Sequence, residues 1–318
     1  MKVIVIRIIT FHERENSMKY FKTEAKRNAP RYIITPESFQ ANTKEKYPFV
    51  QAASSGKLTA YGICPSCHNP VQLIGIFNEI KTAPYGRHTG KTISDLPEWN
   101  FRKYKYCPYA KDNYIQPNEK ELLTEIDNNV IELYDLLKNQ FDRVVYIIQK
   151  ELHIRCSKQF WANTLKQYIV SKGYCYPWLT ESNLPYIFAY RGMQQRTCFG
   201  QEFEVGTDLY KTLKAHPNVK FTETEHKQGF ERLINDEGKF IKLVFRLTNH
   251  RQIAKYGEPL KETIQFCIDD NSNGNTVYEQ EIEFSETYFI NVVNKEVNSN
   301  KRQKWLIDIA NELMPDLI

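Results

Sequence analysis

The sequence predicts a mixed α+β protein, and three observations lead to this class. Residues 61–110 hold a cysteine–histidine cluster among prolines and glycines, which is typical of a small metal-stapled module. Residues 118–180 carry apolar side chains at three- and four-residue spacing, which predicts helices. From residue 181 onward, stretches of β-forming residues are separated by turn residues. We therefore expect a zinc-stapled N-terminal module, a central helical hairpin, and a mostly antiparallel, β-rich C-terminal part ending in a helix.

These parts give three predicted domains: a basic zinc-binding module at 1–117, a helical segment at 118–180 and an α+β domain at 181–318. The composition, 41% hydrophobic and 25% charged residues, is that of a globular protein. Glycine occurs only 13 times, and neither GxGxxG nor GxxxxGK[ST] is present, which argues against glycine-rich nucleotide-binding folds. No apolar run approaches the roughly 20 residues that span a bilayer.

The start, Met1–Phe11, superficially resembles a signal peptide, but Arg7 interrupts its apolar run and His12–Glu15 stand where small residues would mark cleavage. We interpret it as a strand or as a non-native extension before Met18. The seven cysteines are odd in number and mostly scattered, which does not fit a secreted disulfide framework. A cytoplasmic location follows as the expectation.

The positive charge is unevenly distributed. Residues 1–120 contain 19 basic and 10 acidic side chains, whereas the remainder contains 24 and 28, and the total is +5. A basic first third suits a polyanion, and an acidic remainder suits either that basic part or a protein partner. Chance asymmetry on solvated faces would give the same pattern.

Helices and strands are predicted from periodicity and turn residues. We expect helices from about Pro117 to Asn139, at Phe141–Leu152, at Lys158–Val170 with Ser157 as N-cap, at Asp208–Ala215 and at Arg302–Leu313. Strands are expected at Tyr186–Tyr190, Cys198–Val205, Val219–Thr222, Phe240–Thr248, Thr263–Ile268 and Val277–Phe284. Asp269–Asn275 is a strong turn signal between the last two strands.

The strongest chemical signal is Cys64-Pro-Ser-Cys67. This spacing lets two thiolates converge on one tetrahedral ion, and Cys107 and His88 complete a Cys₃His set with the pattern C-x2-C-x20-H-x18-C. His68 is the alternative fourth ligand, although its adjacency to Cys67 would normally turn it away. Four protein ligands predict a structural Zn²⁺ ion. Buried thiols or a redox pair are the competing interpretations of Cys64 and Cys67.

Over about 50 residues, this Cys-Pro-x-Cys followed by a β-like stretch and then Pro-x-x-x-His resembles the zinc-ribbon-like fingers of DNA-processing proteins, such as competence proteins. The resemblance depends on ligand spacing.

The module is also basic and aromatic. Its cations are interleaved with tyrosines, and phosphates would take the charge while bases stack on the rings. We predict nucleic-acid contacts, with DNA favoured over RNA, from Arg87, Lys91, Arg102, Lys103 and Lys105. The alternative is a solvated strand at Phe101–Tyr106 with aromatics on its inner face.

Residues 144–174 also fit a helix-turn-helix, with 174–190 as a possible β-wing. The exposed face of the second helix would enter the major groove through Lys158, Gln159, Asn163 and Lys166. Any helical hairpin with a polar face gives the same pattern.

An active site is harder to find. Glu225-His-Lys227 has the local form of a nuclease carboxylate–lysine motif, with Asp208 or Glu204 as an upstream carboxylate, although such matches are frequent by chance. His250 ends an apolar strand, where a capping or surface role is expected. Three hypotheses remain: a zinc-stabilised nucleic-acid-binding protein with a C-terminal interaction or effector domain, a metal-dependent nuclease subunit of a DNA-processing or defence system, and a non-enzymatic assembly factor.

Overall fold

The described part of the chain forms two compact units. A computed structural model of the protein describes residues 18–317 except 27–28, 53–55, 79, 81–82, 108, 111–117, 119, 225–228, 237–240, 254–260, 286 and 295–301. The first unit contains the described residues before position 115, and the second contains nearly all of those after it. Both the predicted helical segment and the predicted C-terminal domain thus lie in the second unit. The prediction for Met1–Phe11 falls outside the described residues.

The first unit is built on a small sheet whose strands follow the order β3-β4-β5-β6. A two-stranded ladder, β1 with β2, pairs in antiparallel fashion beside it. The elements are β1 Tyr20–Phe21, β2 Tyr32–Ile33, α1 Pro36–Thr43, β3 Val50–Ala52, β4 Leu58–Ile63, β5 Pro70–Ile74, β6 Tyr85–His88 and α2 Phe101–Lys105.

The inner face of this sheet packs on the residues that precede it. Gly62 on β4 allows the close approach of Phe21, because a Cβ there would lie 3.0 Å from the Phe21 ring, tighter than an ordinary van der Waals contact. Helix α1 starts where Thr35 accepts a hydrogen bond from the amide of Ser38 at 3.2 Å, with Pro36 in its first turn. The resulting core is modest, because these elements are short and, among the described aromatic rings of this unit, only Phe21 and Phe39 are fully buried.

The second unit combines helices with two four-stranded sheets, β10-β11-β9-β7 and β14-β13-β12-β8. Helices α4, α5, α6 and α9 pack on one another. The elements are α3 Asn128–Asn139, α4 Phe141–Glu151, β7 Ile154–Arg155, α5 Lys158–Val170, a 3-10 turn Gly173–Cys175, α6 Leu184–Gly192, β8 Arg196–Thr197, β9 Glu202–Glu204, α7 Asp208–Lys214, β10 Val219–Glu223, β11 Phe230–Asn235, β12 Leu243–Ile253, β13 Lys261–Asp270, β14 Asn275–Glu283, α8 Tyr288–Asn294 and α9 Lys304–Leu313.

This architecture confirms the mixed α+β class. Helix α5 has the predicted bounds, and Ser157 caps it by accepting a hydrogen bond from the amide of Phe160 at 3.2 Å. The β13–β14 hairpin turns within the predicted segment, with Ile264 opposite Ile282. Among the described residues, no helix has both the length and the apolarity needed to cross a membrane.

The largest error of the sequence prediction is at Tyr186–Tyr190, which is helix α6 and not a strand. The run is buried on all sides, so its apolar pattern does not distinguish period 2 from period 3.6. Pro185 instead marks the first turn of a helix. Helix α3 starts at Asn128, later than predicted, because Asp127 caps it by accepting from the amide of Val130 at 3.0 Å. Helix α8 was not predicted.

Candidate metal centre

The structure brings together the side chains of Cys64, Cys67, His88 and Cys107. Their ligand atoms all lie within 4.8 Å of one another. The Sγ atoms of Cys64 and Cys107 are 3.7 Å apart, and His88 Nε2 lies 3.2 Å from Cys67 Sγ and 3.7 Å from Cys107 Sγ. Sulfur ligands at about 2.3 Å from one tetrahedral ion stand about 3.8 Å apart. The four side chains therefore form a cluster that can hold a metal ion.

The ligands come from three separate elements. Cys64 and Cys67 lie in the turn between β4 and β5, where the amide of Cys64 donates to the carbonyl of Asn69 at 2.9 Å. His88 ends β6 and is paired with Val71 at the start of β5, so its ring is placed beside that turn. Cys107 follows helix α2 directly. A bound ion would thus cross-link segments more than 40 residues apart.

Asn69 supports the cluster from outside the ligand set. This buried side chain donates to Cys67 Sγ at 3.4 Å and to the carbonyl of Asn100 at 2.9 Å, and it accepts from the Asn100 amide at 2.6 Å. Asn100 in turn caps α2 by accepting from the amide of Lys103 at 2.9 Å. The turn that carries two cysteines is thereby fixed to the helix that leads to the third. Asn69 could not be predicted from the sequence, because an asparagine in a loop carries no distinguishing signal.

His68, the alternative fourth ligand, is not in the cluster. Its backbone has a positive φ of 58°, and its Nε2 lies 3.5 Å from the Nζ of Lys22. Lys22 is itself buried and also donates to the carbonyl of Lys26 at 3.3 Å. The left-handed backbone turns His68 away from the sulfurs, and the sheet register supplies His88 in its place.

Burial and close contact shift the pKa values of two cluster thiols in opposite directions. Burial and the neighbouring sulfurs of Cys64 and Cys67 raise the pKa of Cys107 well above its ordinary value. Burial also opposes ionisation of Cys67, but hydrogen bonds from Cys107, Cys64 and Asn69 outweigh it and lower the pKa of Cys67 well below its ordinary value. A bound metal ion would compensate the charge of several thiolates in so buried a site.

A row of aromatic rings begins at the histidine ligand. The ring of Tyr104 lies edge-on to His88 at 5.1 Å, and Trp99 packs on Tyr104 at 5.0 Å. Phe101 continues the row at 6.4 Å from Tyr104. Residues 101–105 form helix α2, so the alternative of a solvated strand at Phe101–Tyr106 is wrong.

The cations predicted to bind nucleic acid lie on more than one face of the module. Lys103 and Lys105 are on α2, among the aromatic rings. Arg87 precedes His88 on β6 and therefore points to the opposite face of the sheet, where it donates to Gln72 at 3.1 Å. Lys91 is exposed in the following loop. For Arg102 only the helical backbone is described.

The second set of predicted contacts lies on α5. Lys158, Gln159 and Lys166 are exposed, and Gln159 donates to Asn163 at 2.9 Å. Strand β7 occupies the connection between α4 and α5 and pairs with β9. The β-wing predicted at 174–190 is wrong, because most of its second half is helix α6. The helix-turn-helix stays a prediction.

No carboxylate cluster supports the nuclease motif in the described part of the chain. Glu225-His-Lys227 lies outside the described residues. A carboxylate oxygen of Glu204 lies 2.7 Å from His153 Nδ1. Asp208, in the first turn of α7, has a carboxylate oxygen 3.2 Å from Lys211 Nζ. Both candidate upstream carboxylates thus have local partners.

The surface role expected of His250 is wrong, because its side chain is fully buried. Its Nε2 lies 2.6 Å from Glu262, and its Nδ1 lies 2.9 Å from the hydroxyl of Tyr176. Asn183 donates to the same Glu262 carboxylate at 3.0 Å. This buried polar network ties β12 and β13 to the residues around α6.

Cys156 and Cys198 also sit in the second unit, and burial raises the pKa of both thiols well above the ordinary value. Such thiols are inert at neutral pH.

The chain was compared with protein family models, with curated proteins and with solved structures, and none of the three comparisons found a match.

Proposed function

We propose that this protein binds nucleic acid, DNA in preference to RNA, and that its first unit folds around one structural zinc ion. The observation that carries the proposal is the linkage between the Cys64–Cys67–His88–Cys107 cluster and helix α2. The last ligand follows α2 directly, and the helix bears both cations and aromatic rings. A metal at the cluster would therefore hold a nucleic-acid-binding element in place.

Zinc is the metal that suits this donor set. Three sulfurs and one imidazole nitrogen favour Zn²⁺ over hard cations such as Mg²⁺ or Ca²⁺, which prefer oxygen. The 3.7 Å separation of the Cys64 and Cys107 sulfurs is that of two ligands on one tetrahedral ion. Because four protein ligands leave no open coordination position, we assign the ion a structural and not a catalytic role.

Charge and rings together favour a polyanion as the partner. Between Arg87 and Cys107 the sequence has five basic and two acidic side chains. Phosphates pair with the lysines and arginines, and the aromatic rings offer stacking surfaces for bases.

Helix α5 provides a further candidate surface in the second unit. Its outward residues Lys158, Gln159 and Lys166 are exposed, whereas Phe160, Trp161 and Leu165 are buried. Glutamine and lysine in such a row suit base edges and phosphates in a major groove. We assign the remainder of this unit an interaction or effector role, and its excess of acidic residues suits a protein partner. We place the protein in the cytoplasm, since thiol ligands need a reducing compartment.

Metal analysis followed by a binding titration tests this function. We expect one zinc per chain in the purified protein and its loss in Cys64→Ser, with Cys267→Ser as the matched control outside the cluster. Fluorescence anisotropy with a labelled DNA oligonucleotide at two salt concentrations should then show tight binding that weakens at the higher concentration. The proposal is wrong if the purified protein contains no zinc, or if its affinity for DNA is the same at both salt concentrations.

A further inference from the structure

The side chain of Phe101 is the most exposed aromatic ring among the large apolar residues of the first unit that the structure describes. It is 68% exposed. Burying a phenylalanine ring stabilises a fold because apolar surface is removed from water. At this position the ring stays exposed, although the Tyr104 ring lies only 6.4 Å from it.

The position of the ring is fixed by the metal centre. Phe101 opens helix α2, which Asn100 caps and which ends just before the ligand Cys107. On the other side, Tyr104 rests against the ring of the ligand His88 at 5.1 Å. The row His88–Tyr104–Phe101 is therefore a shelf whose inner end is anchored at the cluster and whose outer end, Phe101, faces solvent.

Cations lie on the helix that carries the outer end of this shelf. Lys105 follows Phe101 by four positions and so shares its helix face, and its Nζ lies 4.8 Å from the centre of the Tyr106 ring and 3.1 Å from the Tyr106 hydroxyl. Lys103, two positions after Phe101, lies on another side of the helix. An apolar protein partner would also cover Phe101, but the five-to-two excess of basic residues in this stretch favours a ligand that offers both a flat apolar face and negative charge. A nucleotide offers both.

We propose that this shelf accepts single-stranded nucleic acid in preference to duplex, with a base stacked on Phe101 and a neighbouring phosphate held by Lys105. The inference rests on the nucleic-acid binding proposed above and specifies its substrate. In a duplex the base faces are already stacked on one another, and only their edges are reachable in the grooves. A protruding phenylalanine therefore gains contact area only from an unpaired base.

Anisotropy titrations of the full-length, zinc-loaded protein test this inference. The probes are a labelled 20-residue thymidine oligonucleotide and a duplex of the same length. Phe101→Ala should weaken binding of the single strand by roughly 5- to 150-fold, the range found for loss of one base–aromatic stack. Binding of the duplex should stay within about twofold. Phe101→Trp should restore single-strand binding, since any ring of sufficient area can stack.

Controls separate the shelf from the fold and from general charge. Leu58→Ala removes another exposed apolar side chain of the first unit, 54% exposed, and should change neither affinity. Zinc content must be equal in all variants, which excludes unfolding. The double variant Lys103→Gln, Lys105→Gln should bind both probes more weakly, and its affinity should depend less steeply on salt concentration.

The outcomes also separate this inference from the function on which it rests. If Phe101→Ala leaves single-strand binding unchanged, or weakens both probes equally, the stacking shelf is refuted although nucleic-acid binding stands. If the wild-type protein binds neither probe, the proposed function itself falls, and Phe101 then belongs to an apolar contact with a protein.

Discussion

The two units of this protein are stabilised in different ways. In the first, the core cluster of described buried residues includes Cys64, Cys67 and Cys107 among its twelve members, so a quarter of that core belongs to the ligand set. The second buries Trp161, Trp178, Tyr134, Tyr168 and Tyr176 completely. Its helices reach thirteen residues, whereas those of the first unit reach eight. Where short elements cannot bury enough apolar surface, a metal ion bound at the cluster would supply part of the missing stabilisation.

Removal of the metal should have the largest effect. We expect zinc chelation, or Cys64→Ser, to unfold the first unit while the second stays folded, because the ion supplies the cross-link that its small core lacks. Hydrogen–deuterium exchange read by mass spectrometry checks this in the full chain. Peptides from 18–110 should lose protection, and peptides from 128–192 should keep it. Loss of protection in both units at once would show that their stabilities are not separate.

An ion pair of the second unit gives the next largest effect. Arg302 holds the buried carboxylate of Asp142 through two hydrogen bonds of 2.7 and 2.8 Å, which fixes the start of α9 against α4. Asp142→Ala leaves this arginine with the carbonyl of Asn139 as an acceptor but without its carboxylate, and should cost about 3 kcal/mol in urea denaturation. Zinc content should not change. The control is Asp316→Ala, which breaks an exposed pair with Lys138 and should cost less than about 1 kcal/mol.

Asn69 tests how far the metal centre depends on the residues around it. Asn69→Ala removes the donor to Cys67 and both contacts with Asn100, and we expect zinc affinity to fall by roughly 10- to 100-fold. Competition with a chromophoric chelator measures the change. Asn42→Ala, on the exposed face of α1, is the matched control and should leave the affinity unaltered. If Asn69→Ala leaves the affinity for zinc unchanged, the hydrogen bonds of Asn69 are not needed to hold the four ligands in place.

Removing one helix N-cap in each unit should have the smallest effect on stability. Thr35→Ala on α1 and Ser157→Ala on α5 each remove a hydrogen bond of 3.2 Å and should each cost about 1 kcal/mol when zinc is bound. After chelation the cost of Thr35→Ala should vanish, since its helix is already unfolded, while that of Ser157→Ala should remain. Urea denaturation with and without a chelator measures the loss of stability that each variant causes. Equal costs in both conditions would contradict a metal-dependent first unit.

Several helices and turns could be predicted from the sequence because neighbouring residues along the chain determine where they begin and end. The bounds of α5 follow from the Ser157 cap and from the apolar spacing behind it. The β13–β14 turn follows from a dense run of turn residues. The strand prediction at Tyr186–Tyr190 failed because complete burial removes the polar face that reveals a period.

The sequence by itself determined the mixed class, the basic first third and the three cysteines of the candidate metal centre, since ligand types and spacing can be read directly from the chain. Only the tertiary structure decided between His88 and His68, through the β5–β6 register and a left-handed backbone at His68. It alone showed Asn69 joining two ligand segments, His250 buried and Phe101 exposed. These outcomes depend on contacts between residues distant in sequence, which no local pattern specifies.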